Sequence, residues 1–277
     1  MNGPLNGLMM PLRRSSHSTH GCPLPAKPAG GWARRAFSIM ELMVVLAVLG
    51  ILMAIAVPSL QSASNRSMVA VDMSNLRSLQ LAHYQYALAS GGMFADAGLS
   101  HGGLENQEIA WLNCISDHVD IDEVVRSPLD LSPHWDAPIE GTSDRFRRTS
   151  YGWNNYLSRT HSPDAAIDPL MVVDRLSRLK SPSNTVHLMH MAATGAYAGA
   201  DHVHVENWWV SDALPDAPPV LAASQVQTNV VSGEPKSKEA RAVYGFADGH
   251  VQVLSFNELY FSPRKNRLDP DVSGLSL

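Results

Sequence analysis

Five histidines in the second half of the chain have the residue type and spacing from which metal sites are built: His187, His190, His202, His204 and His250. The alternating pattern over 201–206 predicts a strand that carries His202, His204 and Glu206 on one face. Zinc needs three or four ligands converging at about 2 Å, whereas same-face neighbours on a strand lie about 6.6 Å apart. We therefore interpret these histidines as packing or surface residues and expect no metal or cofactor, with a metal site as the open alternative.

Other patterns that carry chemistry are missing from the sequence. The carboxylates of Asp201, Glu206 and Asp248 lack the clustered spacing of a calcium loop. No phosphate-binding loop, G-x-S-x-G elbow, H-E-x-x-H motif or metal-binding cysteine pair occurs. Beyond residue 36 the chain is acidic and has no basic patch interleaved with aromatic residues. We predict that the protein is not an enzyme and has no nucleic-acid partner.

An apolar run from Phe37 to Val57 is the longest uninterrupted signal in the chain. Among its 21 residues only Ser38, Glu41 and Gly50 are not apolar, and Pro58 follows directly. As a helix it would be about 31 Å long, which matches the hydrocarbon core of a bilayer. No polar stripe of helical period follows Glu41, as a soluble helix would require. The run therefore predicts one transmembrane helix over residues 37–57.

Glu41 is the residue in this run that calls for an explanation. An acid at the centre of a membrane helix costs about 2.5–3.5 kcal/mol, and less near the helix end, so such a residue indicates a partner. The alternative is that Glu41 lies at headgroup depth and needs none.

The stretch Arg34–Leu42 resembles the processing site of type IV prepilins and type II secretion pseudopilins. The resemblance implies that a prepilin peptidase cuts between Ala36 and Phe37 and that the new amine of Phe37 becomes methylated. Glu41 would then be mature residue five, and Pro58 would be residue 22, where the family commonly carries a helix-bending proline. The sequence departs from the family at Ala36, because the residue before the cut is usually glycine.

The same resemblance implies a function. The protein would be a pilin-like structural subunit that assembles into a type II secretion pseudopilus or a type IV pilus-like fibre. Its partners would be the peptidase, copies of itself or other pilin-like subunits, and an assembly platform in the membrane. Glu41 would neutralise the terminal amine of a neighbouring subunit's Phe37.

Two other readings start from the same residues. In one, the helix is a plain anchor for an unassembled extracytoplasmic binding domain whose site is built from the histidines. In the other, which is weaker, a twin-arginine or ordinary export signal is cleaved after Ala56, and a secreted metal-dependent enzyme begins at Val57.

Charge predicts how the chain is oriented in the membrane. Residues 1–36 contain five basic residues and no acid, and because the whole chain carries −5, the remainder carries −10. The positive-inside rule then keeps the leader in the cytoplasm and places the C-terminal part outside the inner membrane. Cleavage would remove Cys22 and leave Cys114, which we expect to be a small buried hydrophobe.

The mature chain is predicted to be α+β and pilin-like, with a long N-terminal helix over 37–90 and a globular domain over 91–277. Beyond Pro58 the helix becomes amphipathic, and Gly91 with Gly92 ends it. Its apolar positions recur at three- and four-residue steps: Met68 or Val69, Met73, Leu76, Leu79, His83 and Tyr86. This face is expected to pack on a small antiparallel sheet.

Strands are predicted at 185–191, 201–206, 241–247 and 250–256. Residues 215–219 are interpreted as a loop, and the tail beyond Pro263 is expected to fray. Between the last two, Asp248-Gly249 predicts a type I′ hairpin turn. The stretch Phe246–Val251 also resembles the C-terminal signature of pseudopilin-like proteins described by an H-x9-DG motif, although Lys238 stands where that motif has its histidine.

Overall fold

The computed structural model describes residues 37–99, 110–159 and 172–274. The leader 1–36, with Ala36 and Cys22, lies outside the described residues. By its internal contacts the chain divides after Ala54 into a small N-terminal unit and a larger C-terminal one.

One long helix and four short ones occur in the described residues: α1 Ile39–Ala89, α2 Trp111–Cys114, α3 Ile121–Val124, α4 Ala217–Ala222 and α5 Phe256–Leu259. The strands are β1 Tyr151–Asn154, β2 Val186–His190, β3 His202–Val203, β4 Arg241–Phe246, β5 Val251–Ser255, β6 Tyr260–Ser262 and β7 Lys265–Asn266. Residues 133–135, 155–157, 176–178, 196–199 and 205–208 form short 3-10 turns.

The first part of α1 is exposed at every position up to Ser67. By length and composition it is the one helix in the described chain that is apolar enough to cross a membrane. Pro58 lies inside the helix without ending it. Because proline has no N–H, the carbonyl of Ala54 loses its usual helical donor there.

The later part of α1 is amphipathic, as its spacing predicts. Leu76, Leu79 and His83 are buried there, and the helix ends at Ala89. Gly91 and Gly92 follow with φ of 65° and 84°. The Gly92 N–H donates to the Ala87 carbonyl at 2.7 Å, a bond that satisfies one of the otherwise free carbonyls of the last turn.

The main sheet has the order β3-β1-β2-β4-β5, and α1 packs on one of its faces through the cluster that contains Leu76, Trp153 and Val243. Alternate residues of β4, namely Ala242, Tyr244 and Phe246, point to the opposite face, where Trp208 and Phe256 pack. All strand pairs are antiparallel except β1 with β3, which is parallel. The α+β, pilin-like fold is confirmed, and the sheet is mixed rather than purely antiparallel.

Three local predictions are wrong. The strand over 201–206 stops at Val203, because residues 205–208 turn into a 3-10 helix. Residues 215–219, interpreted as a loop, run into α4. Prolines are tolerated in the first turn of this helix, because N–H groups there have no acceptor within the helix. The tail beyond Pro263, expected to fray, contains β7, which pairs with β6, and it buries Leu268, whose carbonyl accepts from Asn154 Nδ2 at 2.7 Å.

The β4–β5 hairpin forms where Asp248-Gly249 predicts it, but with a different turn. The Gly249 N–H donates to the Phe246 carbonyl at 2.9 Å, and the Phe246 N–H donates to the His250 carbonyl at 2.9 Å. Gly249 has φ of 93°, whereas Asp248 is not among the residues with positive φ. The loop therefore has three residues, a type I turn closed by a glycine bulge, and the type I′ prediction is wrong.

We expect Gly249→Val to lower the free energy of unfolding by about 1–3 kcal/mol, the range for a non-glycine residue held in a disfavoured backbone region. A Cβ at this position would also approach the ring of Tyr84 at 3.3 Å. Thermal unfolding of the full-length protein in detergent, followed by tryptophan fluorescence, measures the change. Gln252→Val is the matched control, because Gln252 is exposed within β5. Equal melting of both variants would show that the positive φ at Gly249 is unimportant for stability.

Candidate functional site

The described chain begins at Phe37, and its helix starts with a reciprocal pair of hydrogen bonds. The Ser38 N–H donates to Glu41 Oε2 at 2.8 Å, and the Glu41 N–H donates to Ser38 Oγ at 3.1 Å. This is a capping box, which satisfies two of the free donors at a helix N-terminus. A carboxylate here also lies at the positive end of the helix dipole.

The capping role of Glu41 was missed by the sequence analysis. The signal was present, because a serine followed three residues later by a glutamate just before an apolar run is the pattern of a capping box. Glu41 therefore has a partner within its own chain. Its second oxygen, Oε1, accepts no hydrogen bond from the described residues.

The residues around Glu41 form an uncovered apolar surface. Phe37 is 82% exposed, Ile39 79% and Met40 71%. Burying such side chains is worth about 1.5–3 kcal/mol each, so this surface is suited to lipid or to other apolar helices. The cleavage position predicted at Ala36 lies outside the described residues.

Comparison with known proteins supports this interpretation of the N-terminus. Residues 33–57 match the family model of the Prokaryotic N-terminal methylation motif. The chain carries a prepilin-type N-terminal segment. The predicted resemblance to type IV prepilins is thereby confirmed, and the match covers Phe37, Glu41 and the apolar run up to Val57. No curated protein and no solved structure matches the chain.

Outside the prepilin-type segment, the histidines singled out by their spacing do not converge. His202 bonds Asp201 at 3.1 Å, His204 bonds Glu206 at 2.9 Å, and His250 bonds Asp248 at 2.5 Å. Placing His202, His204 and Glu206 on one strand face is wrong, because β3 ends after Val203. Across residues 37–99, 110–159 and 172–274, no group of three histidines, cysteines or acids is arranged to hold a metal.

His190 instead links the sheet to α1 through a buried acid. Its Nε2 lies 2.9 Å from Asp72 Oδ2, and the Tyr151 hydroxyl donates to Asp72 Oδ1 at 2.7 Å. Burial raises the pKa of Asp72, but His190 and the hydrogen bonds outweigh burial and hold that pKa below its usual value. Burial and the Asp72 charge raise the pKa of Tyr151. This trio fixes α1 against β1 and β2.

His187 forms a second link between α1 and the sheet. Its Nδ1 lies 2.8 Å from Gln80 Oε1. Its ring centroid lies 3.9 Å from that of Trp153 and 4.7 Å from that of His83. Within the part of the chain that the structure describes, neither nitrogen of His83 has a hydrogen-bond partner. Burial lowers the pKa of His187 to about 3 and that of His83 well below its usual value, so both are neutral in the folded protein.

A buried ion pair organises the loops before β1. Arg147 Nε donates to Asp130 Oδ2 at 2.7 Å, with both side chains fully buried. The Ser150 hydroxyl donates to the same oxygen at 2.6 Å. The other nitrogens of Arg147 donate to the carbonyls of Met191, Ala192 and Ala198. The guanidinium and the carboxylate are thus both held by groups inside the fold, which gives the pair a structural role.

Cys114 is half-buried and packs against the core cluster that contains Leu76, and burial raises the pKa of its thiol.

The residues of the β4–β5 hairpin make local contacts. Asp248 Oδ1 accepts a hydrogen bond from the His250 N–H at 3.1 Å, which stabilises the turn. Lys238, which stands at the histidine position of the H-x9-DG pattern, pairs with Asp216 at 2.6 Å.

Proposed function

We propose that this protein is a non-enzymatic, pilin-like structural subunit that a prepilin peptidase processes between Ala36 and Phe37. Processed subunits assemble through their apolar helices into a type II secretion pseudopilus or a type IV pilus-like fibre. The observation that carries the proposal is the match over residues 33–57, which leads into a helix that is exposed at every position up to Ser67.

The geometry of Glu41 supports a dual role in assembly. Oε2 caps its own helix through Ser38, while Oε1 is free to accept the amine of a neighbour's Phe37. Pairing therefore does not require the cap to break. In an apolar fibre core an unpaired amine or an unpaired carboxylate would each be costly to bury. Pairing the two neutralises both charges and lowers that cost.

The proposed topology follows from charge. The leader, with five basic residues and no acid, stays in the cytoplasm, and the acidic C-terminal unit lies outside the inner membrane. The partners are the peptidase, copies of this chain or other pilin-like subunits, and an assembly platform in the same membrane.

Processing is tested by intact mass. Protein from cells with an active prepilin peptidase is expected to begin at a methylated Phe37, and Ala36→Gly is expected to raise the fraction processed, since glycine is the family's usual residue before the cut. In cells without the peptidase the leader should remain. A mature chain that begins at Val57 would contradict the proposal and favour a secreted protein.

A further inference from the structure

Along α1, the first turns beyond the apolar run form one wall of a groove in the C-terminal unit. The groove has a volume of about 520 Å³ and is lined by Pro58, Gln61, Ser62, Asn65, Arg66, Val69 and Val231. The helical lining residues recur at three- and four-residue steps, so they share one face of α1. Val231 closes the groove from the segment that precedes β4.

Arg66 gives this groove its charge. It is the single charged residue between Leu42 and Val71. The next acid, Asp72, is buried and paired with His190. Among the residues that the structure describes, no acid forms an ion pair with Arg66. The groove therefore presents an uncompensated guanidinium beside neutral hydrogen-bonding side chains.

The position of the groove along α1 matches the depth of lipid headgroups. Gln61 and Ser62 lie four and five residues beyond Val57, which is about 6–8 Å along the helix axis. The headgroup layer of one leaflet is about 5–8 Å thick. Arg66 lies about 13 Å beyond Val57, and its Cα–Cβ bond tilts toward the helix N-terminus. Its long side chain can therefore reach back to phosphate depth, as arginines at membrane surfaces do.

We propose that this groove binds the phosphate of an anionic phospholipid in the outer leaflet. Arg66 would hold the phosphate, since guanidinium binds phosphate through two parallel hydrogen bonds. Gln61 and Asn65 would donate to the remaining oxygens, while Val69 and Val231 would line the apolar side of the headgroup. The inference rests on the proposed membrane placement of residues 37–57 and does not depend on fibre assembly.

The test uses full-length protein, stripped of lipid in an uncharged detergent, with ligand binding followed by native mass spectrometry. The probes are dihexanoyl phosphatidylglycerol, dihexanoyl phosphatidylcholine and inorganic phosphate. We expect one phosphatidylglycerol per chain, at least tenfold weaker binding of phosphatidylcholine and of phosphate, and at least tenfold weaker phosphatidylglycerol binding by Arg66→Gln.

Arg77→Gln is the matched control. Arg77 is exposed, forms no ion pair with the described residues and lies eleven residues after Arg66, which is three helical turns and thus the same face, about 16 Å farther from the apolar run. Its removal should leave lipid binding unchanged. Equal losses from Arg66→Gln and Arg77→Gln would show only non-specific charge attraction and overturn the site.

Other outcomes also decide the proposal. Phosphate binding as tight as lipid binding would assign the groove to a free anion. Unchanged lipid binding by Arg66→Gln, together with altered sedimentation of oligomers, would assign it to a second copy of the chain. Either result overturns the lipid site. Alkaline carbonate extraction of native membranes tests the anchoring separately, because an extractable protein would contradict the proposed function itself.

Discussion

Glu41→Val is expected to abolish fibre assembly while leaving the subunit in the membrane. The substitution removes a carboxylate from an apolar helix, so insertion should be unchanged or improved. Each incoming subunit would then bury the Phe37 amine without a counter-charge, and breaking a buried pair typically costs about 3–5 kcal/mol. Cleavage should survive, because the residues around the cut are intact. Sheared filaments and membrane-retained subunit, compared beside the native assembly machinery, give the measurement.

The capping box makes a sharper version of this experiment available. Glutamine also completes a capping box, so Glu41→Gln keeps the cap and loses the charge. Ser38→Ala does the reverse, since it removes the hydroxyl that caps Glu41 and keeps the carboxylate. If charge pairing drives assembly, Glu41→Gln fails as Glu41→Val does, and Ser38→Ala assembles. If Glu41→Gln gave wild-type filament yields and Ser38→Ala failed to assemble, Glu41 would act only as a helix cap and the charge-pairing mechanism would be wrong.

Acid is expected to destabilise the C-terminal unit steeply. His187 titrates near 6.5 when unfolded and at about 3 when folded, and burial likewise depresses the pKa of His83. Below pH 6.5 the unfolded chain therefore binds protons that the folded chain does not, so stability is full above that pH and falls as pH decreases toward 3. His187 contributes a loss of about 1.4 kcal/mol per pH unit in this window, or about 3 kcal/mol between pH 6.5 and 4.5. The depressed pKa of His83 adds to this loss in the same direction.

Denaturant unfolding of the full-length protein between pH 7 and 4.5, read by tryptophan fluorescence, tests this. His83→Phe should reduce the pH slope, whatever its effect on stability at pH 7, because the unfolded chain then binds one proton fewer. His118→Phe is the control, because His118 is exposed and should leave the slope unchanged. The pKa values of Asp72 and Asp130 are also lowered, but these carboxylates change the free energy of unfolding mainly below pH 4. A slope unaltered by His83→Phe would mean that His83 is not buried and neutral.

The sequence was most informative where the physical cause is local. An apolar run of fixed length predicts the exposed helix, because its partition between lipid and water depends on composition alone. The Leu76–His83 spacing predicts a buried helix face, since the helical repeat places those side chains together. The same locality made the hairpin at Asp248-Gly249 predictable, although the exact turn depended on a register that pairs Gly245 with Val251.

The tertiary structure decided which polar groups went inside. Asp72 and Gln80 look like solvent-facing residues of α1, yet each is buried against a histidine of β2 more than 100 positions away. Arg147 gave no sequence signal, because its carbonyl partners come from a separate segment. A buried charge is tolerated only where distant groups satisfy its hydrogen bonds, and one-dimensional spacing does not encode such partners. For the same reason the histidines that spacing alone grouped as candidate ligands each bond a different side chain in the folded protein.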